Sequence, residues 1–239
     1  HYQPQFDIKE KTIIGFEALV RWNSPALGMI SPLKFIGIAE ENRMIIPLGE
    51  WILKRACEFI KQINKEYSCQ YVVSVNISMI QLLQEDFVER VMNTLNELDL
   101  DPNFLELELT ESILMQSFDI VIGKLNKLNN SGIRIALDDF GKGYSSLSYL
   151  RDLPISTLKI DKSFIDNIEN IEEDTLTESI IYLGKRMGLL ILAEGVETQK
   201  QLDYLANNEC DRIQGYLLGK PMPENTVRDL LSREKNQNS

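Results

Sequence analysis

The stretch "YQPQFDIKEKTIIGFEALVRW", residues 2–22, decides how the fold of this chain begins. Its two apolar segments, 2–8 and 13–22, have the composition of β-strands, and only "KEKT", residues 9–12, separates them. A connection this short closes a hairpin, whereas a crossover to a parallel strand takes about a dozen residues or more. The first two strands are therefore predicted to be antiparallel.

After the hairpin, short apolar strands alternate with amphipathic helices. The further strand candidates are "YVVSVNIS" (71–78), "FLELELTES" (104–112), "IRIALDDFG" (133–141), "TLKID" (157–161), "LLILAEGVE" (189–197) and "RIQGYLLG" (212–219). The helix predicted over 49–63 carries Ile52, Ala56, Phe59 and Ile63 on one face. Eight strands with helices between them predict an α/β fold, a (β/α)8 TIM-type barrel with its first strand antiparallel to the second. An open doubly wound sheet is the alternative.

Composition excludes several classes of function. The chain has 239 residues, the size of a single barrel, and a net charge of -11 that argues against binding long nucleic acid. Cys57, Cys69 and Cys210 form no C-x-x-C pair, which favours a reduced, cytoplasmic setting. His1 is the single histidine, so a histidine-ligated zinc site and a Ser-His-Asp triad are nearly excluded. We predict one domain over 1–232, followed by a polar tail, "REKNQNS", at 233–239.

Polar side chains collect at the C-terminal ends of the predicted strands, which converge on one rim of a barrel. They are Glu17, Arg21, Asn76, Glu108, Glu111, Asp138, Asp139, Lys159, Asp161, Glu194, Glu197 and Gln214. One acid at a strand end is usually a turn or cap residue, but this many acids on one rim repel each other unless cations hold them. Oxygen ligands without histidine point to Mg2+ or Mn2+. Adjacent Asp138 and Asp139 can bridge two such ions about 3.5–4 Å apart.

Eight short motifs occur together in one order along the chain. They are "YQPQ" (2–5), "EAL" (17–19), "VNIS" (75–78), "ELTES" (108–112), "DDFGKGYSSL" (138–147), "LKID" (158–161), "AEGVET" (193–198) and "QGYLLGKP" (214–221). With these motifs the chain resembles the EAL-domain family, the bacterial cyclic di-GMP phosphodiesterases, over essentially its whole length. The resemblance implies hydrolysis of one phosphodiester bond of cyclic di-GMP to the linear dinucleotide pGpG.

The resemblance also implies roles for individual residues. Metal ligands would be Glu17, Asn76, Glu108, Asp138 and Asp139. Lys159 would contact the attacking water, and Glu194 would be the general base. Gln3, Arg21, Asp161 and Gln214 would serve the substrate side of the site, while Glu111 would anchor the loop after Asp139 and Glu197 would support the metal network. The implied cofactors are two Mg2+ or Mn2+ ions per site, with Ca2+ inhibitory.

The family suggests partners as well. These are cyclic di-GMP, a second copy of the chain joined through the loop at 140–147, and upstream sensory or GGDEF-type domains of a longer protein, which could anchor it to a membrane. Two other functions stay open at this point. A catalytically inactive cyclic di-GMP receptor would show no turnover with Mg2+, and a glycosidase with paired carboxylates would keep its activity in EDTA.

Overall fold

The computed structural model of the protein describes residues 1–111, 118–141, 150–168 and 175–237. The strands are β1 Tyr2–Asp7, β2 Thr12–Ala18, β3 Trp22–Ser24, β4 Gly28–Ile30, β5 Val72–Asn76, β6 Leu105–Thr110, β7 Arg134–Phe140, β8 Thr157–Ile160, β9 Leu190–Glu194 and β10 Arg212–Gln214. The helices are α1 Pro32–Glu41, α2 Ile45–Tyr67, α3 Met79–Leu82, α4 Phe87–Glu97, α5 Phe118–Asn130, α6 Lys162–Asn167, α7 Thr175–Arg186, α8 Gln199–Asn207 and α9 Glu224–Gln237, with a 3-10 turn at Pro102–Phe104.

Eight of the strands form a closed barrel in the order β1, β10, β9, β8, β7, β6, β5, β2. Strand β1 is antiparallel to both of its neighbours, β2 and β10, and the other barrel pairs are parallel. The predicted barrel with an antiparallel first strand is confirmed, and the open doubly wound sheet is wrong. No helix in the described ranges combines the length and the hydropathy that a membrane span needs.

Three segments of the structure differ from the elements predicted from the sequence. The strand predicted over 212–219 ends at Gln214, because the amide of Leu217 donates back to Val196 and that of Gly219 donates to Gly215, which turns the chain. The strand predicted to reach Trp22 ends at Ala18, and residues 22–30 form a separate two-stranded hairpin of β3 and β4. Helix α9 continues through 233–237, the first part of the polar tail.

The hydrophobic core lies between the outer face of the barrel and the helices. Strand β6 shows the division most simply, because Leu105, Leu107 and Leu109 join the core while Glu106 and Glu108 alternate with them on the other face. Helix α2 covers β2 and β5 with the face predicted from its periodicity; its Ala56, Phe59 and Ile63 are buried, and Ile52 packs at the edge of the core. The apolar core is therefore built outside the barrel, and the barrel interior holds buried polar groups together with some apolar side chains.

Helix starts follow local sequence signals. Thr198 caps α8 in a capping box, accepting from the amide of Gln201 while the Gln201 side chain accepts from the amide of Thr198. Ser31 precedes Pro32 at the start of α1, but its side chain makes no capping hydrogen bond. The proline alone pre-sets the backbone angle there.

A glycine on β2 tests how tightly the barrel strands pack. A Cβ atom on Gly15 would lie 2.5 Å from the backbone oxygen of Val72, so β5 would have to move. We expect Gly15→Ala to destabilise the domain by about 1–3 kcal/mol, the usual cost of overpacking. The control is Gly123→Ala in α5, where a Cβ meets nothing within 4 Å and alanine favours the helix. Thermal unfolding should move the two midpoints in opposite directions, and an unchanged Gly15→Ala midpoint would contradict the close packing.

Candidate active site

A buried lysine lies at the centre of the acidic rim. The ammonium of Lys159, on β8, lies 2.7 Å from Glu108 Oε2 and 2.7 Å from Glu194 Oε1. Asp138 Oδ1 is 3.5 Å away and Glu17 Oε2 3.8 Å away. The lysine side chain is fully buried. Four strands therefore direct one carboxylate each at a single cation supplied by a fifth strand.

Neighbouring amides hold the carboxylate of Glu17. Asn76 Nδ2 donates to Glu17 Oε1 at 2.7 Å, and Gln214 Nε2 donates to Glu17 Oε2. Gln214 also donates to Gln3 Oε1 at 3.2 Å, and Gln3 Nε2 donates to the backbone oxygen of Gly219 at 3.1 Å. Because these contacts join β1, β2, β5 and β10, Glu17 is oriented from three other strands. The structure thus brings Glu17, Asn76 and Gln214, which were predicted from their strand-end positions, into one network with Gln3, which the family resemblance alone suggested.

The adjacent aspartates lie where β7 departs from regular pleating. The register between β7 and β8 shifts between Leu137 and Phe140, and Asp139 has a left-handed φ of 57°. On a regular strand two successive side chains point to opposite faces, and a bulge removes that constraint. The amide of Asp139 donates to Asp138 Oδ1 at 2.9 Å. The irregularity frees the two carboxylates from strict alternation, and of the two it is Asp138 that lies within 4 Å of Lys159.

Burial and mutual repulsion keep protons on this cluster. Burial, followed by the charge of Glu17, raises the pKa of Glu108 well above its ordinary range, against the opposing effect of Lys159. Burial also raises the pKa of Glu194 to about 8, with Lys159 opposing and Asp138 and Glu17 adding to the rise. Burial alone would lower the pKa of Lys159, but the surrounding carboxylates outweigh it and raise that pKa well above its ordinary value. Glu108 and Glu194 therefore hold a proton to higher pH than a free glutamate does, although Lys159 lies beside both.

The donor set fits a hard divalent cation. Glu108 Oε1 is buried and has no hydrogen-bond partner among the described residues, which leaves a carboxylate oxygen for a cation. The oxygen-rich set suits Mg2+ or Mn2+. No group of three or more acidic, histidine or cysteine side chains in the described part of the chain has the spacing of a ready-made metal site. The Lys159 ammonium lies within 4 Å of all four carboxylates, so a cation bound by them would have this ammonium as its neighbour.

Two cavities adjoin the rim on either side of the segment 18–21. One, of about 600 Å3, is lined by Asn76 and Thr110 at the strand ends and by α1 residues such as Ile36. The other, of about 530 Å3, reaches from Tyr2 to Trp51 and Glu224. Arg21 lines both, and its guanidinium donates to the backbone oxygen of Val20 at 2.9 Å. Both volumes are in the range of small-molecule sites.

The other predicted site residues are held by local partners near the strand ends. Asp161 caps α6 and accepts from the amide of Ser163 at 2.9 Å. Glu111 Oε2 accepts from the amide of Gly141 at 3.4 Å, which joins the end of β6 to the end of β7. Glu197 pairs with Lys162 at 2.9 Å, and this contact does not involve Lys159. Residues 142–147 of the predicted dimer loop lie outside the described residues.

The assignment from sequence omitted a second set of polar residues below the rim. Glu106 is buried and accepts hydrogen bonds from Ser74 and Thr157 inside the barrel. The alternation in "LELELT" carries a signal for it, because a period of two puts Glu106 and Glu108 on the same face. The search for polar residues at strand ends selected Glu108. It missed Glu106, which lies two residues earlier within the same strand.

Comparison with known proteins agrees with this architecture. The profile of the EAL domain family matches residues 1–221. The chain belongs to the EAL domain family. This EAL domain is 40% identical over 232 residues to the cyclic di-GMP phosphodiesterase NbdA of Pseudomonas aeruginosa, covering 97% of this chain and 30% of NbdA. The chain thus spans less than a third of the length of that relative.

Two solved structures are informative. The EAL domain superimposes on the PaMucR phosphodiesterase in its c-di-GMP complex with a TM-score of 0.91 and 39% identity, covering 95% of this chain and 92% of that one. It also matches BlrP1 of Klebsiella pneumoniae in a calcium and cyclic di-GMP complex, with a TM-score of 0.79 and 27% identity, covering 93% of this chain and 55% of that one. The barrel and its strand order are thus those of EAL enzymes.

The raised pKa of Glu194 predicts that the metal-free domain loses stability as pH rises. An unfolded chain ionises Glu194 near its ordinary pKa of about 4.3, whereas the folded domain has a pKa of about 8 there. Between these values the folded state binds more protons, so the free energy of unfolding falls with increasing pH. Lys159 is charged in both states throughout this window.

We therefore expect the thermal midpoint measured in EDTA to fall between pH 6 and pH 8. Glu194→Gln should reduce that fall, while Glu178→Gln, on the exposed start of α7, should leave it unchanged. A midpoint that rises over this range in the wild type would contradict the direction of the Glu194 shift.

Proposed function

We propose that this EAL domain hydrolyses one phosphodiester bond of cyclic di-GMP to linear pGpG. The observation that carries the proposal is the convergence of Glu17, Glu108, Asp138 and Glu194 on buried Lys159 at the C-terminal rim of the barrel. The domain also resembles the PaMucR phosphodiesterase, which was solved with c-di-GMP, over 95% of this chain. This likeness supports cyclic di-GMP as the substrate. In barrels of this kind, chemistry takes place at this rim.

Two residues supply the proton chemistry and the positive charge. Glu194 Oε1 lies 2.7 Å from the Lys159 ammonium at the rim, where an ionised carboxylate can act as a general base toward a bound water. It accepts a proton from the attacking water as the water oxygen bonds to phosphorus and one ester oxygen leaves. Lys159 places a fixed positive charge where negative charge grows on the phosphate. Neither role needs a covalent intermediate with the protein.

The metal-binding residues in this proposal are Glu17, Asn76, Glu108, Asp138 and Asp139. Two Mg2+ or Mn2+ ions, when bound, supply neutralisation of the phosphate and a water of lowered pKa. The amides of Asn76 and Gln214 orient Glu17 beforehand. Arg21 lines both cavities and offers a planar guanidinium suited to a phosphate or a guanine edge. Gln3 and Asp161 are assigned to the substrate side of the site, and Glu197 supports the metal-binding residues.

The remaining partner assignments are also proposals. A homodimer through 140–147 and upstream sensory or GGDEF-type domains follow from the family, and a cytoplasmic location follows from the three free cysteines. The 30% share of NbdA that the chain covers supports a larger multidomain protein. Sedimentation of the purified domain at assay concentration tests the dimer, and a fully active monomer would show that dimerisation is not needed.

Turnover is the direct test of the proposed function. Purified domain with cyclic di-GMP and Mg2+ should yield pGpG, identified by chromatography and mass spectrometry, and EDTA should abolish the reaction. Ca2+ should support little turnover because its longer and looser coordination disturbs a two-metal geometry. Glu194→Gln should fold and bind substrate but lose about 10²-fold or more of the rate.

Two results would count against this function. Comparable rates in Ca2+ and Mg2+ would contradict the two-metal mechanism. Binding of cyclic di-GMP by the wild type without any turnover would identify the domain as a receptor.

The contact between Glu111 and Gly141 gives a second prediction. Glu111 holds the chain directly after Asp138 and Asp139, so losing this contact loosens those two aspartates. We expect Glu111→Ala to raise the Mg2+ concentration for half-maximal rate by about 10–100-fold, the usual effect of losing a group that supports a metal ligand. The thermal midpoint in EDTA should stay within a few degrees. Glu97→Ala, at an exposed pair with Lys54, is the control, and an unchanged Mg2+ requirement in Glu111→Ala would remove Glu111 from this role.

A further inference from the structure

A second polar layer lies inside the barrel, directly below the rim. Ser74, Glu106 and Thr157 each precede by two residues a member of the rim cluster, namely Asn76, Glu108 and Lys159 respectively. Because side chains two apart on a strand share a face, the lower residue of each pair points into the same interior. Each of the strands β5, β6 and β8 therefore carries a rim residue and, about 6.6 Å below it, a polar residue of this lower layer.

Glu106 connects this lower layer across the barrel. Its Oε1 accepts from the Ser74 hydroxyl at 2.9 Å, and its Oε2 accepts from the Thr157 hydroxyl at 2.7 Å. Gln5 Nε2 donates to the Ser74 oxygen at 3.3 Å. Strand β6 pairs through its backbone with β5 and β7 but not with β8. The Glu106–Thr157 bond thus joins two strands that share no backbone ladder.

Burying a carboxylate inside the barrel costs free energy. Glu106 is 1% exposed, and burying an ionised group requires compensation from hydrogen bonds or charge. The usual filling of a barrel interior is branched apolar side chains, and Leu192, two residues before Glu194 on β9, occupies such a position here. Arg212 lies near enough that the Glu106 charge opposes the lowering of the Arg212 pKa by burial. A residue kept for packing alone would be apolar here.

We propose that Glu106 is a positioning residue for the active site. Through Ser74 and Thr157 it holds β5, β6 and β8 at fixed relative heights, so that Asn76, Glu108 and Lys159 meet at the rim. Glu106 touches neither substrate nor metal. The inference rests on the proposed function for the identity of the metal-binding residues, but its test does not depend on turnover alone.

A matched pair at position 157 separates positioning from stability. Thr157→Val keeps the shape but removes the hydroxyl that donates to Glu106, whereas Thr157→Ser keeps the hydroxyl and removes a methyl group. Mn2+ titrated into each metal-free protein, with free Mn2+ followed by electron paramagnetic resonance, gives its affinity. We expect Thr157→Val to weaken Mn2+ binding by about 10-fold or more and Thr157→Ser to stay within about 2-fold of the wild type.

Glu106→Gln should lower Mn2+ affinity, as Thr157→Val does. It should also lower kcat, while KM for cyclic di-GMP changes less. Ile135→Val, which removes a methylene from the outer face of β7, is the control for general destabilisation. It should lower the thermal midpoint without changing Mn2+ affinity. If Glu106→Gln fails to fold, the pair at 157 still decides the question.

The outcomes distinguish this proposal from the proposed function. Mn2+ affinities within about 2-fold of wild type in both Thr157→Val and Glu106→Gln would overturn the positioning role, whatever the turnover. Equal weakening in Thr157→Val and Thr157→Ser would overturn it as well, because only the first loses the hydroxyl. A wild type that binds Mn2+ but does not hydrolyse cyclic di-GMP would refute the proposed function alone. A wild type that binds no Mn2+ would refute both.

Discussion

The ammonium of Lys159 among the carboxylates of Glu17, Glu108, Asp138 and Glu194 is the contact on which the architecture of the site depends. Each partner comes from a different strand, so the contact exists only when the barrel has closed in the correct register. Removing the cation would leave several buried acids without compensation, and removing an acid would leave the cation less well paired. Burying so many charges is costly, and their location at the rim points to chemistry as the reason for the arrangement.

The two faces of the barrel have different roles, and the outer face offsets the cost of burying charge inside. The outer face, with Leu107, Ile135 and Leu158, joins the helices in one continuous hydrophobic core that supplies the driving force for folding. The inner face carries the polar layers of Glu106 and Glu108. Because the apolar core does not depend on the interior, the interior can be arranged for binding and catalysis. Stability and function are thus separated by the alternation of side chains along each strand.

Local irregularities adapt the regular barrel to its site. The register shift around Asp138 and Asp139 relaxes the alternation of their side chains, and Asp139 takes a left-handed backbone conformation there. Gly215 lies so close to Val196 that a Cβ atom would be 2.0 Å from its backbone oxygen, and the chain turns immediately after Gln214. Both features occur at the C-terminal ends of barrel strands, β7 and β10.

The sequence by itself determined the barrel, its antiparallel first strand and most of the rim residues. Period-two alternation and the four-residue connection at 9–12 are local signals, and strand-end acids such as Glu17 and Glu108 converge in any barrel of this type. Only the tertiary structure decided that Lys159 is fully buried among four acids, that Glu106 reaches Thr157 across a strand, and that Glu197 pairs with Lys162. These contacts depend on the relative height of strands far apart in sequence. That height is set by barrel closure, which no local pattern encodes.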